Sequence, residues 1–347
     1  CAQFALLEAE RMRGEEYKRD EAYFREKLSG ITPAKLPILK RSEEAAGTLD
    51  KVSEYVDYKQ IIDYCKRLEI SPNNLFAGAL GICLNRYTRE DKLCFSTVHN
   101  GRIDERLHDS VGMFVKTLPV VVVPDPLQNL GDYLQGIRSD MKELWLHQTY
   151  PFSRMVTNYG VAMDLTYIFQ KGILDCFEMP QGNVRMEYLY EKSTHDKLNI
   201  NIFQYPENFE IRCEYNNSLY DRVYMEVFAS SMKNALLEIM AADPLKTTCS
   251  QITITNAIEK EKVLEFSRGT TLDYDRTKTF IDLFRDMVAR YPEYPAVKDI
   301  DGSLTYAQLE CQSDAMAHKL MAMGVKPNDF VSVVLSRRKE FVVAVLG

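Results

Sequence analysis

Apolar and charged positions alternate with a helical period over the first 28 residues of the chain. Apolar side chains recur there every three or four positions, a pattern typical of an amphipathic helix. Gly14 interrupts the apolar stripe and Gly30 follows it, and glycine commonly ends helices because it adopts the left-handed conformation without strain. The pattern therefore predicts a helical segment that breaks at Gly14 and ends at Gly30.

From residue 31 to about residue 248 the apolar period changes repeatedly between that of strands and that of helices. Pro33, Pro37 and the polar run 41–47 indicate an extended connector. Ser71 followed by Pro72 is a strong helix start, because the hydroxyl can accept a hydrogen bond from a free backbone N–H and proline suits the first turn. Strands are predicted at 49–58, 92–98, 117–123, 163–169, 184–190, 197–205 and 209–215, and helices at 75–87, 130–146 and 221–240. Mixed strands with covering helices predict an α/β sandwich.

The amino-acid composition of the sequence changes after Pro244. Residues 247–275 are polar, with one short predicted helix at 259–266, and indicate a linker. Beyond the linker the period predicts a helix at 278–290, a strand at 296–300, a turn at 301–302, a helix at 305–323 and a strand at 330–335. The first residue is Cys1, and the apolar run 341–347 ends without a cap, so we expect the chain to be a piece of a longer protein.

Length and charge narrow the class of protein further. The 347 residues allow about two domains. A net charge of −7 disfavours a phosphate-binding surface, so nucleic acid is not an expected partner. No apolar stretch reaches the roughly 20 residues that span a bilayer, and residues 2–18 lack the apolar core of a signal peptide. We therefore expect a soluble, cytoplasmic protein with no membrane partner.

The residue pattern alone provides no convincing active site. His147 is considered because histidine as a residue type can act as a base, but a catalytic base needs a positioned partner, and a histidine at a helix end before proline is more often a packing residue. Gly112 among bulky apolar residues suggests either a loop lining a channel or core packing, and core packing is favoured. Residues 267–271 resemble a phosphate loop only superficially and fit a linker better. The eight cysteines have no metal-site spacing and indicate reduced structural thiols.

Five blocks of the sequence share a distinctive order and spacing. They are Cys1–Glu8, Tyr23–Leu28, Asn100–Arg102, Val111–Pro119 and His147–Phe152. In letters, order and spacing they resemble motifs of the condensation domain of non-ribosomal peptide synthetases. The fourth block resembles V-G-x-F-V-N-T-L-P and the fifth H-Q-D-x-P-F. This resemblance extends to about residue 248.

The last part of the chain resembles the beginning of an adenylation domain. Leu304–Leu309 matches the motif L-T-Y-x-E-L, and the blocks at Tyr291–Pro292 and Pro295–Val297 occur in the order that this family shows. Val343–Gly347 is similar to the opening of the family's next core block. A condensation domain followed by an adenylation domain is the usual order of an elongation module.

The resemblance implies a specific domain arrangement. We expect the C-terminal lobe of an α/β, chloramphenicol-acetyltransferase-like condensation fold, then a linker, then the start of an adenylate-forming domain like that of acyl-CoA synthetases. The expected bounds are 1–30 for the end of the N-terminal condensation lobe, 31–248 for the C-terminal lobe, 249–275 for the linker and 276–347 for the start of the adenylation domain.

The resemblance also implies an activity for the parent protein, in peptide-antibiotic or other secondary metabolism. Its condensation domain would join a carrier-tethered acyl or peptidyl thioester to an aminoacyl thioester, both on phosphopantetheine arms that enter a tunnel between two lobes. Its adenylation domain would activate an amino acid with ATP and magnesium. The implied partners are the upstream and downstream peptidyl carrier domains and the rest of the synthetase.

No catalytic, cofactor-binding or metal-binding residue is assigned to this chain. The family's His-His-x-x-x-Asp-Gly motif is not in the sequence and is expected upstream of Cys1, and the adenylation phosphate loop is expected beyond Gly347. The fragment alone is therefore predicted to be inactive and to bind no cofactor. The residues that the resemblance places at the tunnel or in its motifs are Asn100, Gly101, Arg102, Gly112, Phe114, His147, Gln148, Pro151 and Phe152.

Departures from the family pattern leave alternatives open. Lys116 stands where the family usually has asparagine, Val121 where arginine is common, and 158–166 lacks the pattern R-D-x-S-R-N-P-L. The chain could instead belong to a condensation-like domain that only recruits a partner enzyme or carrier. A free-standing acyl-CoA acyltransferase of related fold would leave 280–347 unexplained.

Overall fold

The computed structural model has a mixed α/β architecture divided into two compact units. It describes residues 2–38, 48–102, 105, 111–161, 164–171, 176–179, 182–185, 197–270 and 273–347. The first unit is Cys1–Phe266 and the second is Ser267–Gly347. The predicted connector at 41–47 and most of the predicted strand at 184–190 lie outside the described residues.

Two helices open the first unit, and they confirm the predicted break at Gly14. Helix α1 is Ala2–Arg11 and helix α2 is Glu15–Lys27, with Gly14 as the residue before α2. Gly30, three positions after α2, has a φ of 65°, as a glycine at a helix end allows.

The described residues of the first unit form nine strands after these helices. They are β1 (Thr32–Pro33), β2 (Leu49–Asp57), β3 (Leu93–His99), β4 (Lys116–Val122), β5 (Leu165–Lys171), β6 (Cys176–Met179), β7 (Gly182–Arg185), β8 (Leu198–Gln204) and β9 (Asn208–Asn216). Strands β6 and β7 form a separate hairpin. The other seven form one sheet in the order β1-β3-β5-β8-β9-β2, with β4 paired to β3. Six of the seven strands predicted for this part of the chain are thereby confirmed.

The pairing of β3 with β4 sets the position of the predicted motif residues. The two strands are antiparallel, and their register runs from Leu93 opposite Val122 to His99 opposite Lys116. On its other edge β3 pairs in parallel with β1 and then with β5. The segment after His99 and the segment before Lys116 therefore emerge at the same end of the sheet.

Helices cover the sheet and enclose the core. They are α3 (Tyr58–Leu68), α4 (Pro72–Thr88), α5 (Leu130–Leu146), α6 (Phe152–Tyr159) and α7 (Arg222–Ala241). A further helix, α8 (Ala257–Ser267), has no buried residue. Helix α4 packs against α3, α5, α7 and β3, and its residues 74–84 are all buried. Ser71 and Asn74 form a reciprocal capping box at its start, as the Ser-Pro pattern predicted. No prediction covered α3 or α6.

Strand β9 is buried on both faces, but the two faces differ in chemistry. Phe209, Ile211, Cys213 and Tyr215 have no exposed surface and belong to the hydrophobic core. The alternate positions hold the buried charges Glu210, Arg212 and Glu214. Burying charge is costly unless it is paired, and Arg212 donates to both carboxylate oxygens of Glu210 at 2.8 and 2.9 Å.

The second unit is a small α/β assembly with its own core. It contains α9 (Phe280–Arg290), β10 (Pro295–Asp299), β11 (Gly302–Thr305), α10 (Tyr306–Ala322) and α11 (Lys339–Leu346). Leu304, Leu309 and Val343 form its buried cluster. The predicted strand at 330–335 is wrong: no strand is present there, because none of these residues has a strand partner among the described residues and Phe330 is fully exposed.

The described cysteines agree with the expectation of reduced structural thiols. Six cysteines have described side chains, and all six are free thiols: Cys65, Cys83, Cys94, Cys213 and Cys249 are buried, and Cys311 is exposed. Burial raises the pKa of Cys65 to about 12 and that of Cys249 to about 11, which keeps these thiols protonated and inert. Within the described residues, no helix combines the length and the apolar character needed to cross a membrane.

Candidate functional site

The turn after β3 requires glycine at position 101. Gly101 has a φ of 67°, and a Cβ atom built on it would lie 1.8 Å from the carbonyl oxygen of Phe114. Asn100 supports the turn, since its side-chain oxygen accepts a hydrogen bond from the backbone N–H of Arg102 at 3.1 Å. Two backbone segments thus approach each other more closely than any residue with a side chain would allow.

The segment before β4 is held by Arg102. The guanidinium lies 4.5 Å from the centre of the Phe114 ring and donates to the carbonyl of Gly112 at 3.5 Å. Phe114 is buried, whereas Val111 is 95% exposed and Met113 is 88% exposed. Core packing, the favoured interpretation of this block, is therefore wrong for Val111 and Met113 and right for Phe114.

The segment between α5 and α6 forms a tight turn. The backbone N–H of Tyr150 donates to the carbonyl of His147 at 3.2 Å, so Gln148 and Thr149 are the two central residues of the turn. The side-chain nitrogen of Gln148 donates to the carbonyl of Trp145 at 2.8 Å. Pro151 then precedes α6, of which Phe152 is the first residue.

Asp20 of α2 accepts hydrogen bonds from two residues of this turn. One carboxylate oxygen accepts from Nδ1 of His147 at 2.7 Å, and the other accepts from the hydroxyl of Thr149. Nδ1 carries the proton, because a carboxylate can only accept. The ring of Tyr23 stacks on His147 with centroids 4.0 Å apart and planes 15° apart. His147 therefore has a positioned partner, but both are buried and serve to join α2 to the turn.

A cavity of about 80 Å³ lies between α1, α2, the β3–β4 end of the sheet and this turn. It brings together three of the predicted site residues, Gly101, Gln148 and Pro151. Arg102, Gly112 and Phe114 support the neighbouring loop, and His147 lies behind the turn. Asn100 is exposed, and Phe152 is half-buried against the hydrophobic core. The full lining is Glu8, Arg11, Met12, Tyr17, Gly101, Lys116, Gln148, Thr149 and Pro151.

Two charged residues of the cavity lining form an ion pair that connects α1 to β4. Lys116 bonds Glu8 across the lining. Lys116 stands where the family usually has asparagine, and its carboxylate partner, Glu8, belongs to the first motif block. Next to the cavity, the rings of Tyr17 and Tyr150 lie 5.1 Å apart, and burial raises the pKa of Tyr150, which keeps the phenol neutral.

Sequence reasoning did not find several of the lining and supporting residues. The candidates did not include Asp20, Glu8, Tyr17 and Thr149. Each of these residues has several polar or aromatic neighbours in the sequence, and nothing in the sequence distinguishes it from them. A charged residue on the apolar side of α2, as Asp20 is, was the available signal, since buried carboxylates require partners. Within the part of the chain that the structure describes, no group of three or more His, Cys, Asp or Glu residues is placed to hold a metal ion.

Two family models match the chain in sequence. The condensation domain matches residues 2–264, and the AMP-binding enzyme matches residues 284–347. Tyrocidine synthase 3 of Brevibacillus parabrevis is 26% identical over 78% of this chain, and bacitracin synthase 1 of Bacillus licheniformis is 23% identical over 99% of it. The chain spans only 4% and 7% of the length of these two relatives.

Solved structures show the same fold. A nonribosomal peptide synthetase, FmoA3, superposes with a TM-score of 0.74 at 16% identity, over 97% of this chain and 36% of its own. Holo-AB3403, a four-domain nonribosomal peptide synthetase bound to AMP and glycine, superposes with a TM-score of 0.68 at 17% identity, over 94% of this chain and 27% of its own. The X-domain from teicoplanin biosynthesis gives 0.62 at 17% identity, over 72% of this chain and 60% of its own.

The condensation match covers about three quarters of the chain, and the AMP-binding match follows it in the order that the sequence predicts. The predicted condensation fold, related to chloramphenicol acetyltransferase, is confirmed by these structures. The chain belongs to the condensation-domain family of nonribosomal peptide synthetases and continues into the beginning of an AMP-binding domain.

Proposed function

We propose that this chain is part of an elongation module that forms an amide bond between two carrier-tethered substrates. The observation that carries the proposal is the succession of a condensation domain and an AMP-binding domain in one chain. The donor would be an acyl or peptidyl thioester and the acceptor an aminoacyl thioester. Phosphopantetheine on the carriers supplies the thioester linkage, and ATP with magnesium supplies the energy to activate the amino acid.

The described residues contribute a wall and a binding surface to this reaction. Amide formation between two bound thioesters depends mainly on holding the amine and the carbonyl in contact. The cavity at Gly101, Gln148 and Pro151 lies where four of the family's motif blocks meet, since its lining also includes Glu8 and Lys116. We assign the nine predicted motif residues to this wall as lining or supporting residues and assign none of them a proton-transfer role.

The proposed organisation follows from the same assignment. We keep 1–30 as the end of the N-terminal condensation lobe, 31–248 as the C-terminal lobe, 249–275 as the linker and 276–347 as the start of the adenylation domain. The partners are the peptidyl carrier domains on either side and the remaining domains of the synthetase, working in the cytoplasm.

A recruitment domain is the second candidate. It is supported by the superposition on the X-domain from teicoplanin biosynthesis, which is also solved as a complex with OxyB. The superposition on FmoA3 covers more of the chain and continues into the second unit, which favours the elongation module.

The two candidates differ in the residues that precede residue 1 in the parent protein. Reading the coding sequence upstream tests them: an intact His-His-x-x-x-Asp-Gly motif in frame supports amide formation, and a replaced second histidine supports recruitment. Where the motif is intact, changing its second histidine to alanine in the parent protein should abolish transfer between carriers while leaving amino-acid activation unchanged. Undiminished transfer would contradict the proposal.

A further inference from the structure

The side chain of Gln148 holds an unused hydrogen-bond acceptor beside the cavity. Its nitrogen donates to the carbonyl of Trp145 at 2.8 Å, which fixes the orientation of the amide, since only the nitrogen can donate. Its oxygen is fully buried and has no hydrogen-bond partner among the described residues. Gln148 as a whole is 6% exposed and lines the cavity. A buried acceptor without a donor is unfavourable, and a ligand that brings an N–H or O–H group into the cavity would satisfy it.

Hydrogen bonds from the residues before and after Gln148 fix the position of this acceptor. The carboxylate of Asp20 accepts from His147, which precedes Gln148, and from Thr149, which follows it. Asp20 is 1% exposed, so solvent does not compete for these bonds. The turn that presents Gln148 is therefore held to helix α2 by one buried carboxylate, and the tight hydrogen bond from Tyr150 to His147 closes it.

The cavity admits a small hydrogen-bond donor. Its volume of about 80 Å³ exceeds the roughly 10–15 Å³ that one water needs, so a group of a few heavy atoms fits. Lys116 and Glu8 in the lining are paired with each other, which leaves their charges compensated. Arg11 is the third charged residue of the lining, and the uncharged side-chain oxygen of Gln148 can accept from an N–H group of an amide or an amine.

We propose that the side-chain carbonyl of Gln148 accepts a hydrogen bond from an N–H of a carrier-bound chain, and that Asp20 is the positioning residue for it. This inference rests on the proposed function, because a carrier-bound aminoacyl thioester has N–H groups both in its arm and in its amino acid. One source is the amide N–H of the pantetheine arm next to the thioester. The other is the amine of the aminoacyl group.

The test is an NMR titration of the whole chain with three small thioesters. The first probe is an alanyl thioester of N-acetylcysteamine, which carries both N–H groups. The second replaces the amide N–H of the arm by an ester oxygen, and the third replaces the amine by hydrogen. Each probe is titrated into the wild-type chain, into Q148M and into Q135M. Gln135 is the matched control, because its side chain also donates to a backbone carbonyl, that of Leu68, but it is exposed and lies outside the cavity lining.

In the wild-type chain and in Q135M, we expect one of the two depleted probes to bind about fivefold more weakly than the first probe, as the loss of one hydrogen bond implies. In Q148M this preference should vanish. A penalty for the second probe identifies the arm amide as the donor, and a penalty for the third identifies the amine. The inference is overturned if Q148M keeps the wild-type preference, or if no probe shifts the resonance of the Gln148 side-chain amide.

The role of Asp20 has a separate readout. In D20N the asparagine retains only one accepting oxygen, so the turn loses one of its two bonds to α2. We expect the first probe still to bind, with its preference over the depleted probe reduced at least twofold. An unchanged preference would make Asp20 a structural residue only. Amide formation by the parent protein, measured independently, decides the proposed function, so that a failure here leaves that function standing.

Discussion

Gly101 lies where the loops that flank β3 and β4 come closest together. Its φ of 67° costs an L-residue about 1–2 kcal/mol, and a Cβ atom there would overlap the Phe114 carbonyl. We predict that G101A lowers the free energy of unfolding of the first unit by more than about 3 kcal/mol, because the loop must open to relieve the overlap. Urea unfolding followed by the fluorescence of Trp145, the single tryptophan, measures this loss.

Gly160 provides the matched control for that substitution. It has the same φ of 67°, but nothing lies within 4 Å of the Cβ position. G160A should therefore cost only the conformational term, about 1 kcal/mol. Equal losses in G101A and G160A would show that the close approach to Phe114 contributes nothing.

Glu210 and Glu214 flank Arg212 on β9, yet their environments move the two carboxyl groups in opposite directions. Burial alone would raise the pKa of Glu210, but hydrogen bonds from Arg212 and Ser53 outweigh it and lower the pKa. Burial raises the pKa of Glu214, and Arg212 at 3.8 Å opposes this only in part. A lowered pKa adds stability above the unfolded-state pKa and loses it as pH falls; a raised pKa adds stability only at low pH and loses it as pH rises.

The paired variants E210Q and E214Q test this difference. At pH 7, E210Q should lose about 3 kcal/mol of unfolding free energy, because Arg212 is left buried without its closest carboxylate. E214Q should be as stable as the wild type or more stable at pH 7. Both differences should shrink as pH falls below the ordinary range of glutamate. Urea unfolding at pH 7 and at a pH well below the ordinary range of glutamate measures them, and a loss in E214Q at pH 7 as large as that in E210Q would contradict the assignment.

The link between α2 and the turn after α5 is the main tertiary constraint on the site at the scale of elements. Asp20 makes it through buried bonds to His147 and Thr149. We predict that D20N speeds amide hydrogen exchange in α2 by roughly tenfold or more, because removing one partner of a buried hydrogen bond costs about 1–3 kcal/mol. Exchange in α7, which Asp20 does not contact, should be unchanged.

A second, exposed link supplies the control for Asp20. Lys27 of α2 pairs with Asp140 of α5 at 2.7 Å, but both side chains are partly exposed. A surface pair contributes about 0–1 kcal/mol, so D140N should speed exchange in α2 by less than about fivefold. If D140N has the larger effect, the buried carboxylate is not the link that holds α2.

Most elements of the first unit follow from the apolar period, and the exceptions have physical causes. The predicted helix at 130–146 matches α5 in both ends. Helix α6 was missed because it has only eight residues and follows a proline turn. The strand at 330–335 was predicted from β-branched residues alone, but a strand requires a partner, and none is present among the described residues.

The sequence predicted a residue of the candidate site only where that residue belongs to a family motif or, like Gly101, is required by the backbone conformation. Gly101 and Gln148 were found in motif blocks, and both line the cavity. Asp20 was not found, since 127 positions separate it from His147 and nothing local in the sequence records that contact. Long-range pairing of side chains depends on the tertiary fold, which periodicity does not describe.

For the whole molecule, the condensation match and the AMP-binding match that follows it give the domain order on which the proposed amide-forming function rests. The order of domains was predictable because each domain has its own motif blocks. The sequence does not indicate which acyl and aminoacyl groups the proposed carriers would present.

The measurement that tests the account most directly is a single-turnover transfer assay with the parent protein. An upstream carrier loaded with an acyl group and a downstream carrier loaded with an amino acid are mixed, and the intact mass of each carrier is followed. The account predicts that the downstream carrier gains the mass of the acyl group while the upstream carrier loses it. Two carriers that remain loaded with their original groups, with loading verified by mass, would contradict it.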